Sequence, residues 1–97
     1  MLSVSQIQQT AEPIMQATNI TKLVLFGSYA KGTATQTSDI DFYIITNGIT
    51  GFAFFDIKAR LEDALSAEID LIPDQDVIPD SPIDKEIRET GVVIYEK

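Results

Sequence analysis

The sequence predicts an α/β (α+β) domain in which helices flank a mixed sheet of about four strands. Three observations support this class. The chain has 97 residues, the length of one domain, which we expect to span residues 1–97. Hydrophobic residues make up 44% of it, which is too many for a disordered chain. Helix-type and strand-type apolar patterns alternate along it in the order α-β-α-β-α-β-α-β.

The first half of the chain is predicted to contain two helices and two strands. A serine cap followed by apolar residues at helical spacing predicts a helix over about 4–17. The apolar run 22–26 stops at a glycine and predicts a buried strand. A one-turn helix is expected over 28–32, followed by a polar loop over 33–38. The β-branched run 40–46 predicts a second strand, which an Asn-Gly turn ends.

The second half repeats this alternation. An apolar stripe predicts a helix over about 52–66, and the run 68–72 predicts a third strand. Two prolines and several aspartates predict a loop over 73–81. A serine followed by proline opens a helix over about 82–90, which a glycine ends. The last strand is expected over 92–95.

Composition and charge exclude several classes of function. The formal net charge is -8, and the seven basic residues are scattered, so direct binding to nucleic acid is disfavoured. The chain has no histidine and no cysteine, which excludes Ser-His and Cys-His catalysis and thiolate metal sites. No apolar run reaches the roughly 18 residues of a membrane span, and no secretory signal opens the chain. We therefore expect a soluble cytoplasmic protein without a membrane partner.

Two aspartates, Asp39 and Asp41, lie at the start of the second predicted strand. Residues two apart in a strand point to the same face, so the two carboxylates repel each other unless a cation lies between them. Mg²⁺ prefers such oxygen ligands. An Asp-x-Asp pair alone is also typical of a turn cap followed by a solvated residue.

The first predicted strand ends at Gly27-Ser28, directly before the short helix. A glycine there lets the backbone approach a ligand closely, and the free N–H groups that follow favour an anion. An ordinary serine N-cap would look the same in isolation. The spacing is not that of a Walker P-loop.

Together the two motifs are more specific than either alone. The stretches "GSYAKG" (27–32) and "SDIDF" (38–42), and more weakly "EIDLI" (68–72) and "IRETGVVIYEK" (87–97), resemble the minimal nucleotidyltransferases (MNT domains) of the DNA polymerase beta-type nucleotidyltransferase superfamily. This resemblance covers most of the chain and implies the nucleotidyltransferase fold.

The resemblance also implies the site residues. A third carboxylate from a neighbouring strand joins the pair in that family, and the matching position is Asp70, with Glu68 two residues off the pattern. Asp39, Asp41 and Asp70 would bind two Mg²⁺ ions, with ATP or another nucleoside triphosphate as the donor. Asp70 would act as general base for the acceptor hydroxyl.

The phosphate side of the site is expected at the Gly-Ser turn. Ser28 and the backbone N–H groups of Gly27, Ser28 and Tyr29 would hold the leaving pyrophosphate. Lys31 is a further candidate for phosphate contact, although a solvated lysine on a one-turn helix would look the same.

MNT domains of this size are often encoded with a HEPN-domain ribonuclease toxin, to which they attach AMP at a tyrosine hydroxyl. The resemblance therefore implies an antitoxin that forms a hetero-oligomer with such a toxin, and we expect a separate chain or a modest surface to hold the acceptor. Phe52, Phe55 and Ala59 lie beside the main apolar stripe of their helix and are candidates for partner contact or for ordinary packing. The alternative is a non-catalytic antitoxin that neutralises its partner by binding alone.

Overall fold

The computed structural model describes all 97 residues, and its elements follow the predicted order. They are α1 (Val4–Gln16), β1 (Lys22–Phe26), α2 (Ser28–Lys31), β2 (Ile40–Ile45), α3 (Gly51–Leu65), β3 (Ile69–Pro73), α4 (Pro82–Thr90) and β4 (Val92–Glu96). The predicted fold class is confirmed, and each predicted boundary lies within one residue of the observed one. None of the helices combines the length and the apolar character needed to cross a membrane.

The four strands form one mixed sheet in the order β3-β2-β1-β4. Strand β1 is antiparallel to both β2 and β4, whereas β2 and β3 are parallel. Parallel neighbours need a crossover connection, and α3 supplies it between β2 and β3. Because β2 and β3 run the same way, both strands begin at the same edge of the sheet, which is also the edge at which β1 ends.

Helices α1 and α3 cover one face of this sheet and enclose the hydrophobic core. Alternate residues of β2, namely Ile40, Phe42 and Ile44, are fully buried there together with Ile7 of α1 and Leu61 of α3. The intervening residues of β2 are only half-buried, because a strand sends successive side chains to opposite faces. Burial of the first face therefore determines which side chains the second face presents.

Helix α4 lies on the second face, over β1. Ser81 caps this helix, its side chain accepting a hydrogen bond from the Asp84 N–H, and Pro82 occupies the first helical position. A Cβ atom on Gly91, just after the helix, would lie 3.0 Å from Val24 Cγ1 and would clash with the Ile87 carbonyl. The absence of a side chain at Gly91 thus lets the end of α4 pack closely against β1.

The segment predicted as loop 73–81 contains more order than expected. Strand β3 extends to Pro73, and Asp74–Asp76 form a short 3₁₀ helix. Asp74 Oδ1 accepts hydrogen bonds of 3.1 Å from both the N–H and the hydroxyl of Thr46, which is buried. These long-range hydrogen bonds stabilise the 3₁₀ helix, and no local sequence pattern predicts them.

Candidate active site

The sheet register brings the predicted carboxylates together. Asp41 of β2 is the direct neighbour of Asp70 in the parallel strand β3. Because neighbouring strands lie roughly 4.8 Å apart, the two side chains stand side by side on the second face. Asp39 precedes β2 by one residue and lies two residues before Asp41. The same register places Glu68 beside Asp39, so Asp70 is the carboxylate next to Asp41.

Asp41 is the electrostatic centre of this group. The pKa of its carboxyl is raised from 3.8 to about 6, first by burial and then by the negative charges of Asp70, Glu86 and Asp39. A raised pKa means that ionised Asp41 is held at a free-energy cost. That cost falls when a cation balances the surrounding carboxylates.

The donor chemistry of the group fits a magnesium ion. The side chains of Asp39, Asp41 and Asp70 offer only oxygen ligands, which hard divalent cations prefer, and the charges that raise the Asp41 pKa are those a cation would offset. In the structure, no three or more acidic side chains lie close enough together to form a ready-made metal cluster. The fit therefore rests on donor type and charge.

The turn at Gly27, where β1 ends, lies next to the Asp41 carboxylate. Gly27 follows Phe26, the residue paired with Asp41, and has φ 76° and ψ -149°, a backbone conformation open almost only to glycine. A Cβ atom at this position would lie 2.5 Å from Asp41 Oδ2. The turn and the Asp41 carboxylate therefore approach each other as closely as they do because residue 27 has no side chain.

Both backbone groups of Gly27 are already bonded within the protein. Its N–H donates to Thr90 Oγ1 at 3.0 Å, and its carbonyl accepts from the Lys31 N–H at 3.0 Å. In this structure the Gly27 N–H is therefore not free for a phosphate, and the contribution of Gly27 is its missing side chain. The N–H groups of Ser28 and Tyr29 open α2, where helical geometry offers no partner within the helix.

A cavity of about 480 Å³ adjoins one side of this group. Tyr29, Ser38, Asp39 and Glu68 line it, together with residues from the end of α3. Tyr29 is half-buried against the core, whereas Lys31 is exposed at the end of α2. The cavity reaches the carboxylates only at Asp39, since neither Asp41 nor Asp70 lines it.

Two residues of α4 join the site although the sequence patterns did not single them out. Glu86 contributes to the raised Asp41 pKa, and its Oε1 lies 3.4 Å from the place a Gly27 Cβ would take. Thr90 holds the Gly27 N–H. Glu86 lies three positions after Ile83 and Thr90 seven, so both are on the helix side that packs on the sheet. That spacing is the one signal that could have drawn attention to them.

The sheet order, the Gly-Ser turn and the strand-borne aspartates together define the class of the chain as a nucleotidyltransferase domain. Comparison with known proteins agrees: the family model "Polymerase beta, Nucleotidyltransferase" matches residues 8–97. The chain belongs to this nucleotidyltransferase family, so it is an enzyme of the nucleotidyl-transfer class. The predicted family is thereby confirmed.

The relatives and structural neighbours are of the same kind. The chain is 27% identical over 79 residues to "Putative protein adenylyltransferase MJ0435" of Methanocaldococcus jannaschii, covering 80% of this chain and 85% of that one. Among solved structures it is similar to a "putative minimal nucleotidyltransferase", with a TM-score of 0.77, 19% identity and coverage of 94% and 95%.

A second neighbour is the "tri-AMPylated Shewanella oneidensis HEPN toxin in complex with MNT antitoxin", with a TM-score of 0.72, 15% identity and coverage of 97% of this chain and 73% of that one. A third is a "toxin-antitoxin with AMP-PNP", with a TM-score of 0.78, 19% identity and coverage of 93% and 73%. At these identities the structural likeness confirms the nucleotidyltransferase fold.

Proposed function

We propose that this chain transfers AMP from ATP to a hydroxyl, most simply a tyrosine hydroxyl, of a HEPN-type toxin, and so acts as its antitoxin. One observation carries the proposal: the register sets Asp41 beside Asp70, with Asp39 next to them and the Gly27 turn across from Asp41. A relative named as a protein adenylyltransferase and neighbours from HEPN–MNT complexes support the choice of donor and partner. We place the activity in the cytoplasm, in agreement with the lack of cysteine.

Magnesium would be held by Asp39, Asp41 and Asp70, two ions being usual for such carboxylate sites. When bound, the metal supplies positive charge that offsets both the carboxylates and the triphosphate and makes the acceptor hydroxyl more acidic.

The residues of the chain perform the remaining steps. Asp70 takes the proton of the acceptor hydroxyl as general base. The acceptor oxygen forms a bond to the α-phosphorus while the bond from that phosphorus to the bridging oxygen breaks, and pyrophosphate leaves. The Ser28 hydroxyl and the N–H groups of Ser28 and Tyr29 donate hydrogen bonds to the departing phosphates. Lys31, exposed at the end of α2, is the basic side chain of this helix and a candidate for phosphate contact.

The surface offers two features for a basic protein partner. The net charge of -8 favours association with a positively charged chain and disfavours direct contact with RNA. Helix α3 exposes Phe52 by 95% and Phe55 by 64%, and Ala59 is exposed on the same helix. Their exposure agrees with the partner-contact alternative and not with ordinary core packing.

A second candidate function is neutralisation by binding alone. The exposed phenylalanines favour it, because a docking surface needs no catalytic group. The carboxylates argue for the enzyme: a pure binder has no use for like charges held together at a cost to the Asp41 carboxyl.

One experiment separates the two. The purified protein is incubated with α-labelled ATP, Mg²⁺ and a HEPN-type protein as the proposed partner, and label on that protein is measured together with its ribonuclease activity. We expect label transfer by the wild type and by the control Asp63→Ala, whose carboxylate is exposed on α3, and none by Asp39→Ala/Asp41→Ala. Full neutralisation by this double variant without label transfer would establish the binding function instead.

A further inference from the structure

The Thr90 hydroxyl links α4 to the turn that precedes α2. It accepts the Gly27 N–H at 3.0 Å and donates to the Glu86 carbonyl, one helical turn back, at 2.8 Å. One hydroxyl thus satisfies a backbone group of the turn while remaining tied to its own helix. The two residues are 63 positions apart in sequence, so the link is purely tertiary.

The Gly27 N–H depends on this bond. Gly27 is buried, and a buried N–H without a partner costs about 1–3 kcal/mol. Glycine adopts the backbone conformation of this turn without strain but also has access to many others, so the conformation of the turn depends on the contacts that hold it. The Gly27 carbonyl accepts from the Lys31 N–H, and the Gly27 N–H has the Thr90 hydroxyl as its partner.

The end of α4 is in turn held against the sheet. Gly91 packs at the Ile87 carbonyl and at Val24 Cγ1, and its N–H donates to the Ile87 carbonyl at 2.9 Å. The end of α4 that carries the Thr90 hydroxyl is therefore packed in a defined position. Because the acceptor has a defined position, it also defines the position of the Gly27 peptide that donates to it.

We propose that Thr90 is a positioning residue for nucleotide binding: its hydroxyl holds the Gly27–Ser28 turn in the shape that aims the Ser28 and Tyr29 N–H groups at the donor triphosphate. This role rests on the proposed function. In this role Thr90 acts through Gly27, since its hydroxyl is bonded to the Gly27 N–H and to the Glu86 carbonyl.

The test compares Thr90→Val, which keeps the shape and removes the hydroxyl, with Thr90→Ser, which keeps the hydroxyl. Thr10→Val is the matched control, since Thr10 is a half-buried helical threonine on α1. For each variant, hydrogen exchange of the Gly27 amide is followed by NMR, binding of a non-hydrolysable ATP analogue with Mg²⁺ is titrated, and KM and kcat for AMP transfer are measured.

We expect Thr90→Val to lose protection of the Gly27 amide and to weaken analogue binding and raise KM by about 5- to 10-fold, the effect of one hydrogen bond, with a smaller change in kcat. Thr90→Ser and Thr10→Val should behave as the wild type. Unchanged nucleotide affinity in Thr90→Val, or equal losses in Thr90→Ser, would overturn the role of the hydroxyl.

Two further outcomes keep the conclusions separate. If Thr90→Val does not fold, hydrogen exchange of the Gly27 amide is measured in the wild type instead. Exchange as fast as that of an unprotected amide would overturn the hydrogen bond from Gly27 to Thr90. If the wild type binds no ATP analogue although its Gly27 amide is protected, the link stands as a structural contact, and the proposed function and the positioning role both fail.

Discussion

Asp41 is the residue at which folding and function conflict most directly. It lies in the middle strand pair, and its pKa is raised to about 6, first by burial and then by three neighbouring carboxylates. A neutral side chain would serve the fold better at this position. The unfavourable charge is explained by the chemistry proposed for the site.

This conflict predicts a pH-dependent gain in stability for Asp41→Asn. Since the folded pKa of about 6 exceeds the ordinary 3.8, the folded state holds the proton more tightly, and the stability that Asp41 contributes falls as pH rises through this window. Without divalent ions, Asp41→Asn should melt above the wild type at pH 7.5 and approach it near pH 4. For a domain of this size each 1 kcal/mol gained raises the melting temperature by about 4–8 °C.

Thermal denaturation of both proteins from pH 4 to 8 measures this effect. Mg²⁺ should raise the melting temperature of the wild type more than that of the variant. Identical pH profiles for the two proteins would contradict the electrostatic description of the site.

Asp70 and Glu68 provide a matched pair on one strand face. Both are exposed, but the register places Asp70 beside Asp41 and Glu68 beside Asp39. We expect Asp70→Asn to fold normally and to lose AMP transfer by at least about 100-fold, as removal of a general base does. Glu68→Gln should lose much less. Equal losses in steady-state kinetics would mean that the assignment of the base is wrong.

At the scale of the elements, α3 serves two different surfaces. Its buried side, Ile57, Leu61 and Leu65, closes the core, while Phe52 and Phe55 face solvent. The Phe55 ring makes an edge contact with Phe54 at a centroid distance of 5.7 Å, which supports it from the core side. Exposed aromatic side chains of this kind often anchor a protein interface.

We therefore expect Phe52→Ser/Phe55→Ser to weaken binding of the proposed HEPN-type partner by at least about tenfold, since aromatic anchors commonly contribute more than 1 kcal/mol. ATP-analogue affinity should not change, because the site lies at the other end of α3. Isothermal titration measures both affinities, and Ile78→Ser, which removes another exposed apolar side chain, is the control. Wild-type partner affinity in the double variant would remove α3 from the interface.

Helix α4 contributes side chains to the site that its own sequence pattern does not predict. None of its residues is fully buried. The Ser81 cap and the ion pairs of Arg88 with Asp80 and Asp84, at 3.0 and 3.2 Å, are local contacts that stabilise the helix itself. Its position on the sheet depends on the close contact at Gly91 and on the hydrogen bond from Gly27 to Thr90. Because it is held in this way, it brings Glu86 and Thr90 to the turn.

On the sheet face opposite the core, acidic side chains influence both Asp41 and Tyr43. Tyr43, two residues beyond Asp41, has its pKa raised by burial and by the charges of Asp74 and Asp84. The acidic field therefore extends along this face beyond the site itself. A partner that presents a hydroxyl to the site must approach through it.

Association with a basic partner should accordingly depend on salt through the on-rate. We expect the association rate constant to fall by about tenfold or more between 50 and 500 mM NaCl, with a much smaller change in the dissociation rate. Stopped-flow mixing of the two purified proteins measures both constants. An on-rate independent of salt would show that charge does not guide the encounter.

Features that depend on neighbouring residues could be predicted from the sequence. Apolar patterns, helix caps and turn residues together placed each helix and strand within one residue, because all of them are local signals. The 3₁₀ helix at Asp74–Asp76 was missed since its holding partner, Thr46, lies in another strand. The motifs at Gly27-Ser28 and at Asp39 and Asp41 were visible because each is contiguous.

The amino-acid sequence by itself determined the order of the elements, the apolar faces of the core-forming ones, the glycine that ends β1 and the acidic pair, since all of these follow from local patterns and side-chain chemistry. The family resemblance named Asp70, but only the tertiary structure sets it beside Asp41 and brings Glu86 and Thr90 to the turn. These depend on strand register and on the docking of α4, which are contacts between residues far apart in the chain, and local patterns carry no record of them.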